Sequence, residues 1–279
     1  MDLHSVVILA SSSLPSSLAP WIAISKVFGS EELYVAICVA IYTLIDPELG
    51  SLVISSILLA VSSNVFLKTL LKLPRPPKSL WKVVARGPGF PSGHSEVCAS
   101  FWTSISFGKK SLVLAVAGGV ITALVATSRV VLGVHYVSDV VGGALIGLVM
   151  GLIPYALSKV VSIEKSVGVC CASSLALAIA SIPLSTPYPW LRSISLVSAG
   201  IAAGFSSYTL LGKEITKAFR VWGWRIRIAN FVACLVVSGG FVIATRILSG
   251  LELPLGFGAG ISLVLIPLAI DRARKRFSR

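Results

Sequence analysis

His135 and Asp139 stand four residues apart in the string "SRVVLGVHYVSD", residues 128–139. On a helix that spacing puts both side chains on one face. The carboxylate then accepts the proton of the near ring nitrogen and leaves the other nitrogen's lone pair outward. This is the base-and-orienter half of a catalytic triad, with the imidazole as nucleophile or base. Arg129, just ahead, offers a planar fork of donors that suits phosphate. A second string, "PSGH" at 91–94, opens an expected helix. Free backbone N–H groups and a partial positive charge at such an end favour an anion. Gly93 lets the backbone approach it, Ser92 adds a hydroxyl donor, and His94 is placed to protonate a leaving oxygen. A third string, "KTLLKLPRP" at 68–76, brings Lys68 from the last turn of a helix and Arg75 from a stretch stiffened by Pro76. Lys68, Arg75 and Arg129 together can neutralise a phosphate dianion and the charge that develops on its transfer. No carboxylate cluster accompanies them, so neither a metal nor another cofactor is expected.

These residues must be positioned by helices that cross a membrane. Of the 279 residues, 55% are hydrophobic and 13% charged, with a mean hydropathy of +0.91. Apolar runs of the length that crosses a bilayer, about 20 residues, recur along the chain. They are continuous rather than alternating, which excludes a transmembrane β-barrel. The expected fold is all-α: a polytopic membrane bundle of about nine transmembrane helices plus an N-terminal interfacial helix. The nine segments are 31–46, 50–72, 94–107, 110–131, 136–159, 166–184, 191–212, 226–249 and 252–271. Residues 3–28, broken by serines and prolines, form either a poor first span or, the preferred reading, a segment along the membrane surface anchored by Trp21. Ionisable groups within such helices cost about 2.5–3.5 kcal/mol each unless compensated, which marks Arg129, His135 and Asp139 as functional.

Two segments set the geometry. The break at 72–93 is long and rich in proline and glycine, which argues for a fixed irregular path. The segment 94–107 is short; at 1.5 Å per residue it spans about 21 Å, less than the roughly 30 Å hydrocarbon core. Its start, with Pro91 to Gly93, therefore lies in a recess. Gly143, Gly147 and Gly151 continue the His135–Asp139 stripe at steps of four and allow close helix packing. The chain divides into residues 1–160, which hold every chemical string, and residues 161–279, a C-terminal extension of four further spans.

The formal net charge is +13. Its lysines and arginines sit in short loops between apolar segments, where they set topology, so the bilayer and an anionic lipid are the expected partners and nucleic acid is not. Alternating the spans puts fourteen of the 24 basic residues on one side, including Lys109, Lys159, Lys217 and the tail, which should face the cytoplasm. The three strings then face outward or into a lumen. The five cysteines lie in apolar runs, show no metal-ligand spacing, and read as small core residues.

Taken together, K-x6-RP, PSGH and SR-x5-H-x3-D resemble the three motifs of the type 2 phosphatidic acid phosphatase superfamily. That group includes lipid phosphate phosphatases, undecaprenyl-diphosphate phosphatases, glucose-6-phosphatase and soluble vanadium haloperoxidases. The resemblance implies a six-helix-type phosphatase core and a metal-independent reaction inhibited by vanadate. It implies that His135 is the nucleophile and forms a phosphohistidine, that Asp139 orients it, and that His94 is the general acid. Lys68, Arg75, Ser92, Gly93 and Arg129 would bind the phosphoryl group. The extension beyond residue 160 is unlike the shorter members, and "GPGFPSGH" is similar to the glucose-6-phosphatase branch. The expected activity is hydrolysis of a lipid phosphate or diphosphate, a polyprenyl (dolichyl-type) diphosphate first. Phosphatidate-like, sphingoid-base and sugar phosphates are the alternatives, as is a non-enzymatic lipid-phosphate binder or transporter.

Overall fold

A computed structural model describes residues 15–277. Among them no strand occurs, and eleven α-helices follow in chain order. They are α1 (Ala19–Val27), α2 (Glu31–Ala40), α3 (Pro47–Leu71), α4 (Gly93–Lys109), α5 (Leu112–Val131), α6 (Val137–Leu157), α7 (Ile163–Leu184), α8 (Pro189–Phe205), α9 (Tyr208–Arg220), α10 (Trp224–Ile247) and α11 (Glu252–Phe277). The protein is a polytopic helical membrane protein. Six helices, α3, α5, α6, α7, α10 and α11, are long and apolar enough to cross a bilayer, and α8 with α9 forms a seventh, bent candidate. The remaining two expected segments are shorter helices: α4, and α2 continued by a wide turn over Ile41–Ile45. Seventeen residues give α4 about 26 Å, still short of the hydrocarbon core. The surface segment expected over 3–28 lies partly outside the described residues; its later part is a three-residue turn, Ser16–Leu18, and α1.

The bundle is built around α3. Asp46 caps it, its carboxylate accepting from the N–H groups of Glu48 and Leu49 at 2.9 and 3.1 Å, and Pro47 occupies its first turn. A helix apolar on every side has no solvent face and belongs in the middle. Accordingly α3 is buried along most of its length. Its serines stay compatible with burial by donating to their own helix, as Ser55 does to Leu52 and Ser56 to Val53. It ends at Lys72, which takes a left-handed conformation (φ 51°).

Small residues decide which helices approach most closely. The Gly143, Gly147 and Gly151 stripe of α6 lies against α4. A Cβ at each position would press on the carbonyl oxygen of Ser92, Glu96 and Ser100 in turn. The same device joins α8 to α11, where Gly200 and Gly204 face Gly256 and Gly260. Polar pairs register other contacts, such as Ser62 with Ser174 at 2.7 Å between α3 and α7.

The segment expected as one span at 191–212 is two helices bent by 61°. Ser206 and Ser207 bond back to the carbonyls of Ala203 and Gly204 at 2.7 and 2.8 Å, and this competes with continuation of the helix. Beyond the break α9 is amphipathic: Tyr208, Gly212, Ile215 and Phe219 are buried, while Lys213, Glu214, Lys217 and Arg220 are not. One apolar core runs through the bundle and includes Tyr34, Phe101 and Val125 together with Phe205, Tyr208 and Val264, so it is continuous across residue 160.

Candidate active site

The long loop after α3 is held by cations. Lys68 is buried in the last turn of α3, and its Nζ donates to the carbonyls of Pro88 (3.0 Å) and Gly89 (3.2 Å). Arg75 donates from Nε to Gly87 O (3.0 Å) and from Nη2 to Arg86 O (3.0 Å). Four successive carbonyls, 86 to 89, thus form an arc around two side chains. These dipoles offset part of the cost of taking the charges out of water. Gly89 N–H bonds Leu73 O at 2.8 Å, Lys82 N–H bonds Leu132 O at 3.0 Å, and the Trp81 indole donates to Pro76 O at 2.9 Å. The loop follows a fixed path, irregular apart from a single turn at Lys78–Leu80, as its composition led one to expect.

The same Arg75 reaches the third string. Its Nη1 donates to Val134 O and lies 2.8 Å from His135 Nε2. Arginine has donors only, so Nε2 is the acceptor and carries the lone pair. The ring proton is then on Nδ1, which faces Asp139 Oδ2 at 3.3 Å. Asp139 is itself fixed: the same Oδ2 accepts the Tyr136 N–H at 3.0 Å, as an acid three residues into a helix does for the residue that caps it. Burial, with Arg75, Lys68 and Arg129 nearby, lowers the imidazolium pKa of His135 from its ordinary value to about 3, against the opposing hydrogen bond to Asp139. His135 is therefore a neutral ring with its Nε2 lone pair directed at cations.

The glycine stripe brings the second string to this ring. Ser92 N–H bonds Asp139 O at 2.9 Å where α4 starts beside α6. Lys68, Arg75, Gly93, His94, Arg129 and His135 line one cavity of about 270 Å³. Ser92 and Asp139 are not among its lining residues: Ser92 is fully buried, with its hydroxyl accepting from Ser95 at 3.2 Å, and Asp139 stands behind His135. Arg129 donates from Nη1 to Ser25 Oγ of α1 at 2.7 Å, and its buried Nε has no hydrogen-bond partner among the described residues. At the end of α1, Gly29 lies so close to His94 that a Cβ there would touch the ring.

Residues 49–161 match the PAP2 superfamily. This stretch is the part of the chain that resembles a PAP2 unit. All eight site residues named from the sequence fall within it. A phosphatidylglycerophosphatase B of Bacillus subtilis (strain 168) is 40% identical over 70 residues; the match covers 22% of this chain and 34% of that protein. The chain thus aligns with about a third of that relative's length. No solved structure matches.

Several residues at the cavity escape motif reading. Asn64 lines it, four residues before Lys68 on the same face of α3. Its Nδ2 donates to Glu96 Oε2 (2.7 Å) and Pro91 O (3.2 Å), and Ser63 donates to Glu96 Oε1 (2.7 Å). Glu96 is fully buried beneath the turn that carries Ser92 and Gly93. An acid inside an apolar helix is a signal available from sequence alone; its partners on another helix are not. Arg86 from the loop, and Trp190, Leu191 and Ile194 from α8, also line it. The last three lie outside the PAP2-like stretch.

Proposed function

We propose that the protein is an integral-membrane phosphatase that transfers the phosphoryl group of a lipid phosphate or diphosphate to His135 and then to water. The observation that carries this reading is the convergence of two imidazoles and three cationic side chains on one cavity of about 270 Å³. In the proposed reaction His135 Nε2 attacks phosphorus, the bond to the leaving oxygen breaks, and His94 gives that oxygen a proton. Asp139 holds the proton on Nδ1 and stabilises the imidazolium that forms. Water then attacks the phosphohistidine, gives a proton back to His94, and inorganic phosphate leaves.

Lys68, Arg75 and Arg129 bind the phosphoryl oxygens in this reading, with the Gly93 N–H at the start of α4 as a fourth contact. The unpartnered Nε of Arg129 is a donor suited to such an oxygen. Ser92, given a phosphate-binding role from sequence, acts through its backbone, whose N–H bond to Asp139 O holds the turn. The charged side chains that line the cavity, Lys68, Arg75, Arg86 and Arg129, are all cationic, which disfavours a bound metal, and we include metal independence in the proposal. A polyprenyl diphosphate is the preferred substrate: the short α4 and the recessed site suit a ligand whose tail stays in the bilayer, and Arg86 at the cavity adds charge for a second phosphate. The active site is assigned to the extracytoplasmic or lumenal face. Residues 1–160 form the catalytic bundle and 161–279 an extension that folds with it.

Phosphate release from a panel of purified lipid and sugar phosphates, phosphatidylglycerol phosphate included, tests the proposal. The wild-type protein is expected to release phosphate with EDTA present, and His135→Ala to be inactive. Equal release by both proteins, or a strict Mg²⁺ requirement, would contradict the mechanism.

A further inference from the structure

The cavity has two kinds of wall. One is the cationic cradle. The other is apolar and comes partly from outside the PAP2-like stretch, as Trp190, Leu191 and Ile194 on the first turns of α8. Leu191 is buried, whereas Trp190 and Ile194 are partly open. Trp190 also touches the loop that seats the cations: a Cβ at Gly87 would lie 3.0 Å from its ring. The carbonyl of that same Gly87 accepts Arg75 Nε. An apolar surface thus begins beside the loop carbonyl that seats Arg75, and the two line one cavity.

We propose that α8 of the C-terminal extension forms a subsite for the first carbons of the substrate beyond its phosphoester oxygen, with Trp190 and Ile194 as specificity-determining residues. This rests on reading the cavity as a phosphate site. The occupant is the alkyl or prenyl segment joined to the phosphate, because only a ligand with a dianionic head and an apolar stem satisfies both walls at once. A free phosphate would leave the apolar wall without a contact, and a hydrophilic sugar phosphate would place hydroxyls against it without partners. The extension thereby takes part in the chemistry by selecting which ester enters.

The test compares two non-hydrolysable probes, methylphosphonate and butylphosphonate, which share a headgroup and differ by three methylenes. Their binding is measured by calorimetry on the full chain in lipid nanodiscs. A fully buried methylene is worth about fourfold in affinity. With partial burial, the wild-type protein is expected to prefer butylphosphonate about tenfold. Trp190→Ala and Ile194→Ala should each reduce the preference to about threefold or less, with methylphosphonate affinity held within about threefold, and Trp190→Phe should restore most of it. Equal affinities for the two probes in the wild type would overturn the subsite, as would a preference unchanged in both alanine variants. Equal loss of both probes in the two alanine variants would also overturn it, since the residues would then only brace the cation-holding loop. Phosphate release by the wild type is read separately. Alkyl preference without turnover would remove the phosphatase reading and leave the subsite, while turnover without alkyl preference would do the reverse.

Discussion

An arginine cannot accept a hydrogen bond, and this fact sets the state of His135. With Arg75 Nη1 at 2.8 Å, Nε2 must hold its lone pair and the proton must lie toward Asp139. In the proposed mechanism the neutral ring is the reactive form. Its pKa is lowered to about 3, so the neutral form persists as pH falls below the ordinary histidine value of about 6.5. The expected acid limb of kcat/KM, which reports the free enzyme, therefore lies below pH 6.5 once substrate ionisation is accounted for. A limb at or above 6.5 would mean that His135 titrates as an exposed histidine. His94→Ala should lower turnover by the roughly 10²–10⁴-fold typical of a lost acid catalyst, measured with a lipid phosphate. The spacing of His135 and Asp139 was legible because i,i+4 is a local relation. The contact of Arg75 with His135 was not, since no periodicity reports which carbonyls a loop will bend around a guanidinium. Glu96 could have been found as an acid in an apolar segment, but its donors Ser63 and Asn64 belong to another helix. Replacing Glu96 by Leu removes both bonds; Ser63 keeps the Ala60 carbonyl and Asn64 the Pro91 carbonyl, but the second N–H of the Asn64 amide is left buried without an acceptor, at about 1–3 kcal/mol. A thermal-unfolding comparison should show a large fall in Tm.

Between elements, the site depends on how closely α6 approaches α4. Gly147 allows that approach, because a Cβ there would fall on the Glu96 carbonyl oxygen. Gly147→Val should force the helices apart, cost about 1–3 kcal/mol or more, and lower activity at least tenfold by separating His94 from His135. Gly119→Ala is the control. Nothing lies within 4 Å of a Cβ at that position, so stability should hold within about 0.5 kcal/mol or rise slightly through helix propensity. Retained activity and Tm in Gly147→Val would show that the stripe does not position the site. The stripe itself was visible in sequence as three glycines at steps of four; that α4 is the partner was not. The bend between α8 and α9 was hidden for a related reason. Hydropathy runs on through Ser206 and Ser207, and the back-bonding of two serines leaves no trace in an averaged profile. Lys213 and Lys217, arriving within about three turns of the break, were the available warning.

At the scale of the molecule, nine apolar segments were readable because each carries its own hydropathy, and all nine are helical. What the extension does was not readable. Gly87 and Trp190 are far apart in the chain and meet only through packing of the whole bundle. The core is shared across residue 160, and Ser174 bonds Ser62 beside it. A chain ending at residue 160 would expose this surface of α3, so it is expected to yield no folded, phosphate-releasing protein by size-exclusion profile and assay. An active fragment would show that the extension is dispensable. Topology is tested with single cysteines. The native cysteines among the described residues are buried, so a membrane-impermeant maleimide on intact cells should label Lys82→Cys, in the loop beside the site. It should spare Lys159→Cys on the face assigned to the cytoplasm.

The central claim is that His135 itself receives the phosphoryl group. Rapid acid-free quenching after mixing the protein with a ³²P-labelled lipid phosphate, followed by peptide mapping, tests it most directly. The predicted result is a transient acid-labile, base-stable label on the peptide that contains His135, absent from His135→Ala and longer-lived in His94→Ala. Label on any other residue, or full turnover in His135→Ala, would contradict the account.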